Sequence, residues 1–152
     1  MLQRAINSAL NQSYKNIEVI VIDDNNPGSE GRIKTESIMK KYIEVSNLKY
    51  IKHPRNMNGA VARNTGIESS SGEIISFLDD DDWYLNDKIE KQVSYLLEKP
   101  EYDAVYCGWR KNNKEIIPTK EGDLTYEVLS GDTIVITNSI MMKKNAALEI
   151  GG

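Results

Sequence analysis

The sequence predicts an α/β fold in which a largely parallel sheet is flanked by helices. Segments with helical periodicity alternate along the chain with short apolar runs, which is the order that produces parallel strands joined by helices. Two of those apolar runs, IEVIVI and EIISFL, pass directly into aspartates. Ligands of such sheets bind beyond the carboxyl ends of the strands, so the pattern also predicts a ligand site there.

The first half of the chain alternates regularly between helix and strand. MLQRAINSALNQ has helical spacing, and NIEVIVIDD follows as a buried strand over residues 17–22. NNPGSE is a turn, after which we expect a helix over 30–45 and a short strand over 48–51. The loop KHPRNMNG precedes a third helix over 60–69. In the first two helices the residues expected to face inward are Leu2, Ala5, Ile6, Ala9, Leu10, Ile33, Ile38, Tyr42 and Ile43.

The second half is regular at first and then less so. EIISFL predicts another buried strand over 73–78, and a fourth helix follows with Ile89, Val93, Leu96 and Leu97 inward. DAVYCGW predicts a strand, and KNNK followed by EII predicts a hairpin with its return strand. The last elements are a short helix near 126–129, a strand near 139–142 and a short helix over 145–150.

Composition and charge exclude several classes of function. The chain has 152 residues, enough for one domain with a core, and no apolar run approaches the roughly 18 residues of a membrane span. Its formal net charge of −4 gives no electrostatic footprint for nucleic acid. A lone Cys107 cannot form an internal disulfide. The only histidine, His53, lies in a loop segment, where we expect a surface or loop role rather than a catalytic one.

The four consecutive aspartates of FLDDDDW suggest a metal site. Like charges repel, and a dication would offset that repulsion. In extended backbone Asp79 and Asp81 would share one side, while Asp80 and Asp82 would face the other. Paired carboxylates suit Mg²⁺ or Mn²⁺, which keep water and phosphate oxygens as their other ligands. The alternative is a solvated acidic turn that leads into the next helix.

Two further positions are candidates for nucleotide contacts. Asp24 follows the first predicted strand, where an ionised acid could accept a hydrogen bond from a ring N–H of a base, or could simply form a turn before NNP. Arg63, in GAVARNTGI, lies near the start of a helix. There it could bind phosphate through charge-assisted bonds, or could be a solvated helix arginine.

The four segments NQSYKNIEVIVIDDNN, NMNGAVARNTGI, SGEIISFLDDDDWYLNDKIEKQV and DAVYCGW occur in an order that resembles a known family. They look like the nucleotide-sugar domain of family 2 inverting glycosyltransferases, which have the GT-A fold. The resemblance covers nearly the whole chain. It implies transfer of a sugar from a nucleoside-diphosphate sugar, usually a UDP-sugar, to a hydroxyl of a saccharide or lipid-linked acceptor with inversion, aided by Mn²⁺ or Mg²⁺. It also implies a cytoplasmic enzyme, at the inner face of the membrane in some members.

The resemblance assigns roles to individual residues. Asp24 matches the acid that binds the base, and Arg63 matches the basic position near the base and diphosphate. Asp81 matches the metal ligand that bridges to the diphosphate. Asp79 and Asp80 match contacts to ribose and metal, in an order that the resemblance leaves open.

The resemblance also predicts that residues 1–152 are part of a larger GT-A domain. The family's first strand, with a V-S-V-I-I-P-T-Y-N-like segment in the middle of the sheet, would precede residue 1. The catalytic base would follow residue 152, beyond a G-G-F-D-E-like segment. We therefore name no base, because nothing in the sequence favours the late acids Asp123, Glu127 and Asp132.

Two other functions stay open at this stage. A Mg²⁺-dependent aspartyl-phosphate phosphotransfer domain also has acids at strand ends. Its phosphatase type requires Thr or Val shortly after the D-x-D, whereas this sequence has Trp83 there. An inactive interaction remnant is the other alternative.

A sheet without its central strand would expose edge backbone, so we expect homo-oligomers. Size-exclusion chromatography with light scattering should give a mass above the 17.2 kDa of the single chain. A clean monomer would contradict this prediction.

Overall fold

The computed structural model describes residues 1–131 and 135–151, and it has the α/β fold that the sequence predicts. Its helices are α1 (Leu2–Leu10), α2 (Glu30–Met39), α3 (Gly59–Ser69), α4 (Lys88–Glu98), α5 (Thr125–Ser130) and α6 (Lys144–Glu149), with 3₁₀ turns at Lys40–Tyr42 and Thr137–Ser139. Its strands are β1 (Val19–Asp23), β2 (Leu48–Lys52), β3 (Ile74–Ser76), β4 (Ala104–Tyr106), β5 (Trp109–Lys111), β6 (Lys114–Ile116) and β7 (Ile140–Lys143).

The strands pair in three groups. β1 and β2 are parallel, in a register that runs from Val19 opposite Leu48 to Asp23 opposite Lys52. β7 lies between β3 and β4 and is antiparallel to both, so β3 and β4 run in the same direction. β5 and β6 form a hairpin at the predicted turn, where Asn112 and Asn113 both have positive φ, as a type I′ turn requires. The prediction of one continuous strand over DAVYCGW is wrong, because β4 and β5 divide this segment and lie in different sheets.

Three apolar clusters form the core among the described residues. One joins α4 to β7, the second joins α1 to the end of α2, and the third joins α3, β3 and α6. Their buried members are Ile89, Val93, Leu96 and Met141, then Ile6, Met39 and Tyr42, and finally Ile67, Ile75 and Ala147. Within residues 1–131 and 135–151, no helix has the length and apolar character needed to cross a bilayer.

Three residues expected to face inward are exposed instead. Ile33, Ile43 and Leu97 are 60%, 81% and 71% exposed. In α2 the inward position beside Ile33 is taken by Arg32, which is buried. The 3₁₀ turn that follows α2 has a tighter winding than the predicted long helix, so it directs Ile43 outward.

Glu18, just before β1, links the β1–β2 pair to the loop that leads into β3. Its carboxylate accepts hydrogen bonds from the backbone of Ser71 and Gly72 in the loop before β3, and it pairs with Lys49 of β2 at 2.8 Å. Burial opposes ionisation of Glu18, but these bonds outweigh it and lower the pKa of Glu18 to about 2. Glu18 is therefore an ionised anchor at neutral pH.

We expect Glu18→Gln to lower the free energy of unfolding by about 1 kcal/mol at pH 7, a modest value because Glu18 keeps some contact with water. Since the folded pKa lies below the unfolded value near 4.5, the stabilisation is present above pH 4.5 and is lost as the pH falls toward 2. Urea denaturation at pH 7, 4.5 and 3 measures it, with exposed Glu44→Gln as the control. A difference that stays constant with pH would contradict the ionised role.

Candidate functional site

Asp23, the last residue of β1, is a buried structural anchor. Its Oδ2 lies 3.0 Å from Nε of Arg32 in α2, and the Tyr50 hydroxyl donates to the same oxygen at 2.6 Å. Burial and this bond raise the pKa of Tyr50. Arg32 also donates to the backbone carbonyls of Asp23 and His53. The pair thus joins β1, β2 and α2 and fixes the backbone that carries Asp24.

Asp24 is held as an ionised acceptor. Its side chain is 17% exposed, and its Oδ1 lies 2.7 Å from Nδ1 of His53. The backbone N–H of Met57 donates to the same oxygen at 2.8 Å. Burial would raise the pKa of Asp24, but the bonds from His53, Met57 and the backbone of Asn58 outweigh it and lower the pKa below its usual value.

His53 lies in the loop after β2, as expected, but its expected surface placement is wrong. It is only 6% exposed, and its Nε2 lies 2.9 Å from Oγ1 of Thr65 in α3. The sequence around it, KHPRNMNG, has the composition of a turn, so no local signal indicated burial.

The loop before α3 is fixed by asparagines of the segment KHPRNMNG. The Asn56 side chain donates to the carbonyl of Asp24 at 3.0 Å. Asn58 caps α3, because its Oδ1 accepts the N–H groups of Ala60 and Val61 at 3.0 and 3.1 Å. The cap already uses these two amides, so the start of α3 offers an anion fewer free N–H groups than the sequence suggested.

The four aspartates lie in a turn rather than in an extension of β3. β3 ends at Ser76, and the N–H of Asp82 donates to the carbonyl of Asp79 at 3.2 Å. The strict alternation of side chains assumed for an extended chain therefore does not apply to them. The side chains of Asp79, Asp80 and Asp81 are exposed, and Asp82 is partly buried.

Helix α3 contacts both acidic segments. Arg63 pairs with Oδ1 of Asp79 at 3.2 Å, and the two side chains are 39% and 48% exposed. Two residues further along the same helix, Thr65 contacts His53, which in turn holds Asp24. Helix α3 is thus linked to Asp79 through Arg63 and to Asp24 through Thr65 and His53. Within residues 1–131 and 135–151, the side chains of Asp80 and Asp81 form no hydrogen bond or ion pair with this helix.

Residues distant in sequence hold the acidic turn. The side chain of Asn138 accepts from the backbone N–H of Asp79 at 2.9 Å and donates to the carboxylate of Asp82. From the other end of the chain, Arg4 in α1 donates to the carbonyl of Asp81 at 2.6 Å. Neither residue belongs to a motif, so no local pattern indicated this role.

Hydrogen bonds join the residues that precede the acidic turn to those that follow it. The Tyr84 hydroxyl donates to the carbonyl of Phe77, and Nζ of Lys88 donates to Oγ of Ser76 at 3.0 Å. The same ammonium lies 4.0 Å from the centre of the Tyr84 ring. Burial lowers the pKa of Lys88 to about 8. These contacts close the segment into a short loop in which Asp79, Asp80 and Asp81 are exposed to water.

The carboxylates present fit a divalent metal that is shared with a ligand. Among the described residues, no three Asp, Glu, His or Cys side chains are grouped so as to hold an ion by themselves. Mg²⁺ and Mn²⁺ sites of the shared type use one or two carboxylates, and phosphate and water oxygens complete the shell. The exposed oxygens of Asp79, Asp80 and Asp81 are donors of that kind.

The late acids do not have the properties of a general base. A base that works near neutral pH needs a raised pKa. Bonds from Thr125 lower the pKa of Asp123, and bonds from its own backbone and from Lys120 lower that of Glu127. Asp132 lies outside the described residues.

The sequence matches a known protein family over nearly its whole length. The profile of the family described as glycosyl transferase family 2 matches residues 1–148. An uncharacterized glycosyltransferase of Haemophilus influenzae is 32% identical over 151 residues, which are 97% of this chain and 59% of that protein.

Two solved structures share the fold. The crystal structure of S. aureus TarS in complex with UDP has a TM-score of 0.74 at 20% identity, and the match covers 98% of this chain and 44% of that one. The mannosyltransferase PcManGT from Pyrobaculum calidifontis, in complex with GDP-Man and Mn²⁺, has a TM-score of 0.73 at 21% identity, over 99% of this chain and 43% of that one.

The fold is therefore that of the GT-A glycosyltransferases, as the sequence predicted. The chain belongs to glycosyltransferase family 2. It spans 59% of the length of its Haemophilus influenzae relative.

We expect Arg32→Met to lower the free energy of unfolding by about 3–5 kcal/mol, because it leaves the Asp23 charge buried without its partner. Chemical denaturation measures this. The control is Arg110→Met, which breaks an exposed pair with Glu115 and should cost less than about 1 kcal/mol. Similar small losses in both variants would contradict the anchoring role of Arg32.

Proposed function

We propose that this chain is the nucleotide-sugar-binding part of an inverting glycosyltransferase that uses a UDP-sugar and Mn²⁺ or Mg²⁺. The observation that carries the proposal is the double contact of α3, through Thr65 to His53 and Asp24 and through Arg63 to Asp79. A nucleoside diphosphate needs an acceptor for its base beside cationic groups for its phosphates, and this region offers both.

In this proposal Asp24 accepts a hydrogen bond from the ring N–H of the base. Because its pKa is lowered, it remains ionised and can only accept, which suits the N–H of uracil. Asp79 and Asp80 would contact the ribose and the metal, and Asp81 would be the ligand that holds the metal, whose positive charge would stabilise the diphosphate. All three carboxylates are exposed and so are accessible to a ligand from solvent.

Arg63 binds the diphosphate. Its guanidinium pairs with Asp79, but the pair is partly exposed, so an arriving phosphate can compete for the guanidinium at low cost. As the bond between sugar and diphosphate breaks, negative charge grows on the leaving group, and Arg63 stabilises it through charge-assisted hydrogen bonds. A bound divalent ion would add further stabilisation of the same charge.

The acceptor hydroxyl requires a carboxylate base that removes its proton as it attacks from the opposite face. We assign that role to none of the described residues, because neither Asp123 nor Glu127 has a suitable environment. For this chain alone we therefore propose nucleotide binding, with transfer belonging to the full-length protein.

The solved relatives support the choice of ligands. S. aureus TarS is in complex with UDP, and PcManGT is in complex with GDP-Man and Mn²⁺. We propose a UDP-sugar donor, a saccharide or lipid-linked acceptor, and a cytoplasmic location, which includes the inner face of the membrane.

The test of the metal assignment is calorimetry of UDP binding with and without Mn²⁺. Asp81→Ala should weaken binding about tenfold or more in the presence of Mn²⁺, because it removes a carboxylate that would hold the ion. Without Mn²⁺ the variant and the original chain should bind UDP equally.

The matched control is Asp103→Ala, which also removes one aspartate but lies beside β4 and pairs with Lys143. It should leave UDP affinity unchanged. Tight, Mn²⁺-dependent binding that Asp81→Ala does not alter would rule out Asp81 as the metal ligand.

A further inference from the structure

We infer that His53 is a positioning residue, which holds the Asp24 carboxylate through Oδ1 so that Oδ2 is presented to the nucleobase. The inference rests on the proposed function, because it takes Asp24 as the acceptor for the base. It concerns a residue outside the acidic turn and outside the motif that contains Arg63.

The His53 ring is fixed at both nitrogens. Nδ1 lies 2.7 Å from Oδ1 of Asp24, and Nε2 lies 2.9 Å from Oγ1 of Thr65. Its backbone is fixed as well, because its N–H donates to the carbonyl of Asp23 at 2.9 Å and its carbonyl accepts from Arg32 at 2.8 Å. A buried ring held in this way has one orientation, and it transmits that orientation to Asp24.

The chemistry of the partners decides which atom donates. Ionised Asp24 can only accept, so Nδ1 of His53 carries a proton and donates. The hydroxyl of Thr65 can donate to Nε2 or accept from it, so it satisfies either form of the ring. Because His53 and Met57 both donate to Oδ1, their bonds restrain the carboxylate and leave Oδ2 as the oxygen that neither of them uses.

Thr65, His53 and Asp24 have the residue types of a nucleophilic triad, but their surroundings favour positioning. A triad needs free N–H donors for an oxyanion beside the nucleophile. At the start of α3 the amides of Ala60 and Val61 are already used by the cap from Asn58.

The charged groups that face His53 come from two elements. Asp23 ends β1 and Asp24 follows it, and Arg32 of α2 contacts the His53 carbonyl. From α3 the facing residue is Thr65, which is uncharged. The bond from His53 is thus a main factor that keeps the pKa of Asp24 low against the effect of burial.

Two substitutions of His53 each keep one of its two side-chain contacts and remove the other. In His53→Asn the side-chain amide nitrogen can occupy the place of Nδ1, so it keeps the bond to Asp24 and loses the one to Thr65. In His53→Gln the amide reaches the place of Nε2, so it keeps the contact with Thr65 and loses the bond to Asp24. Both remove the ring, which makes each the control for the other.

We expect the variants to differ in two measurements. Carbon-13 NMR of the Asp24 carboxyl, without ligand, should show a raised pKa in His53→Gln and little change in His53→Asn. By calorimetry with Mn²⁺, His53→Gln should bind UDP about tenfold more weakly than the original chain at pH 7. The ratio of its Kd to that of the original chain should grow further at pH 5, and taking this ratio cancels the titration of UDP itself.

The outcomes separate the inference from the proposed function. If the original chain binds Mn²⁺ and UDP but the two variants bind UDP alike, the inference is overturned and the proposed function stands. If the original chain does not bind UDP, both are overturned. If His53→Gln weakens the binding of Mn²⁺-pyrophosphate as much as it weakens the binding of UDP, the loss of affinity does not depend on the base. That result also overturns the inference.

Discussion

The buried ion pair between Asp23 and Arg32 is the interaction on which the candidate site depends. Arg32 donates to the backbone carbonyls of Asp23, Asn25 and His53, in addition to pairing with the Asp23 carboxylate. Loss of either partner would leave the other charge buried, so the pair strongly disfavours other arrangements of these segments. The backbone at the ends of β1 and β2 is therefore fixed, and Asp24 and His53 are held in contact as a result.

The acidic turn depends on a different set of constraints. Arg63, Asn138 and Arg4 approach it from three separate parts of the chain, and each satisfies a group of the turn. Arg4 also lies 3.9 Å from the centre of the Trp83 ring, a cation–π contact that places a second positive charge near the carboxylates. These contacts offset the mutual repulsion of the aspartates while leaving three carboxylates exposed to solvent.

Helix α3 couples the two regions, because Arg63 and Thr65 lie on its first two turns. A ligand that spans the region would contact groups that share one rigid element, so its two ends would be positioned relative to each other before binding. Such preorganisation would favour binding of the nucleotide proposed above, even though the carboxylates of Asp79, Asp80 and Asp81 are exposed to solvent.

The sequence by itself determined the helices and strands, and it showed that aspartates follow β1 and β3. Apolar periodicity and turn residues act over a few positions, so α1, β1, β2 and α3 lie close to their predicted bounds. The tertiary structure alone decided that Arg32 rather than Ile33 faces inward, that His53 is buried against Asp24, and that Asn138 holds the acidic turn. Each of these depends on which distant segments meet, and burial of a polar group is favourable only where a partner from another segment satisfies it. No local pattern contains that information.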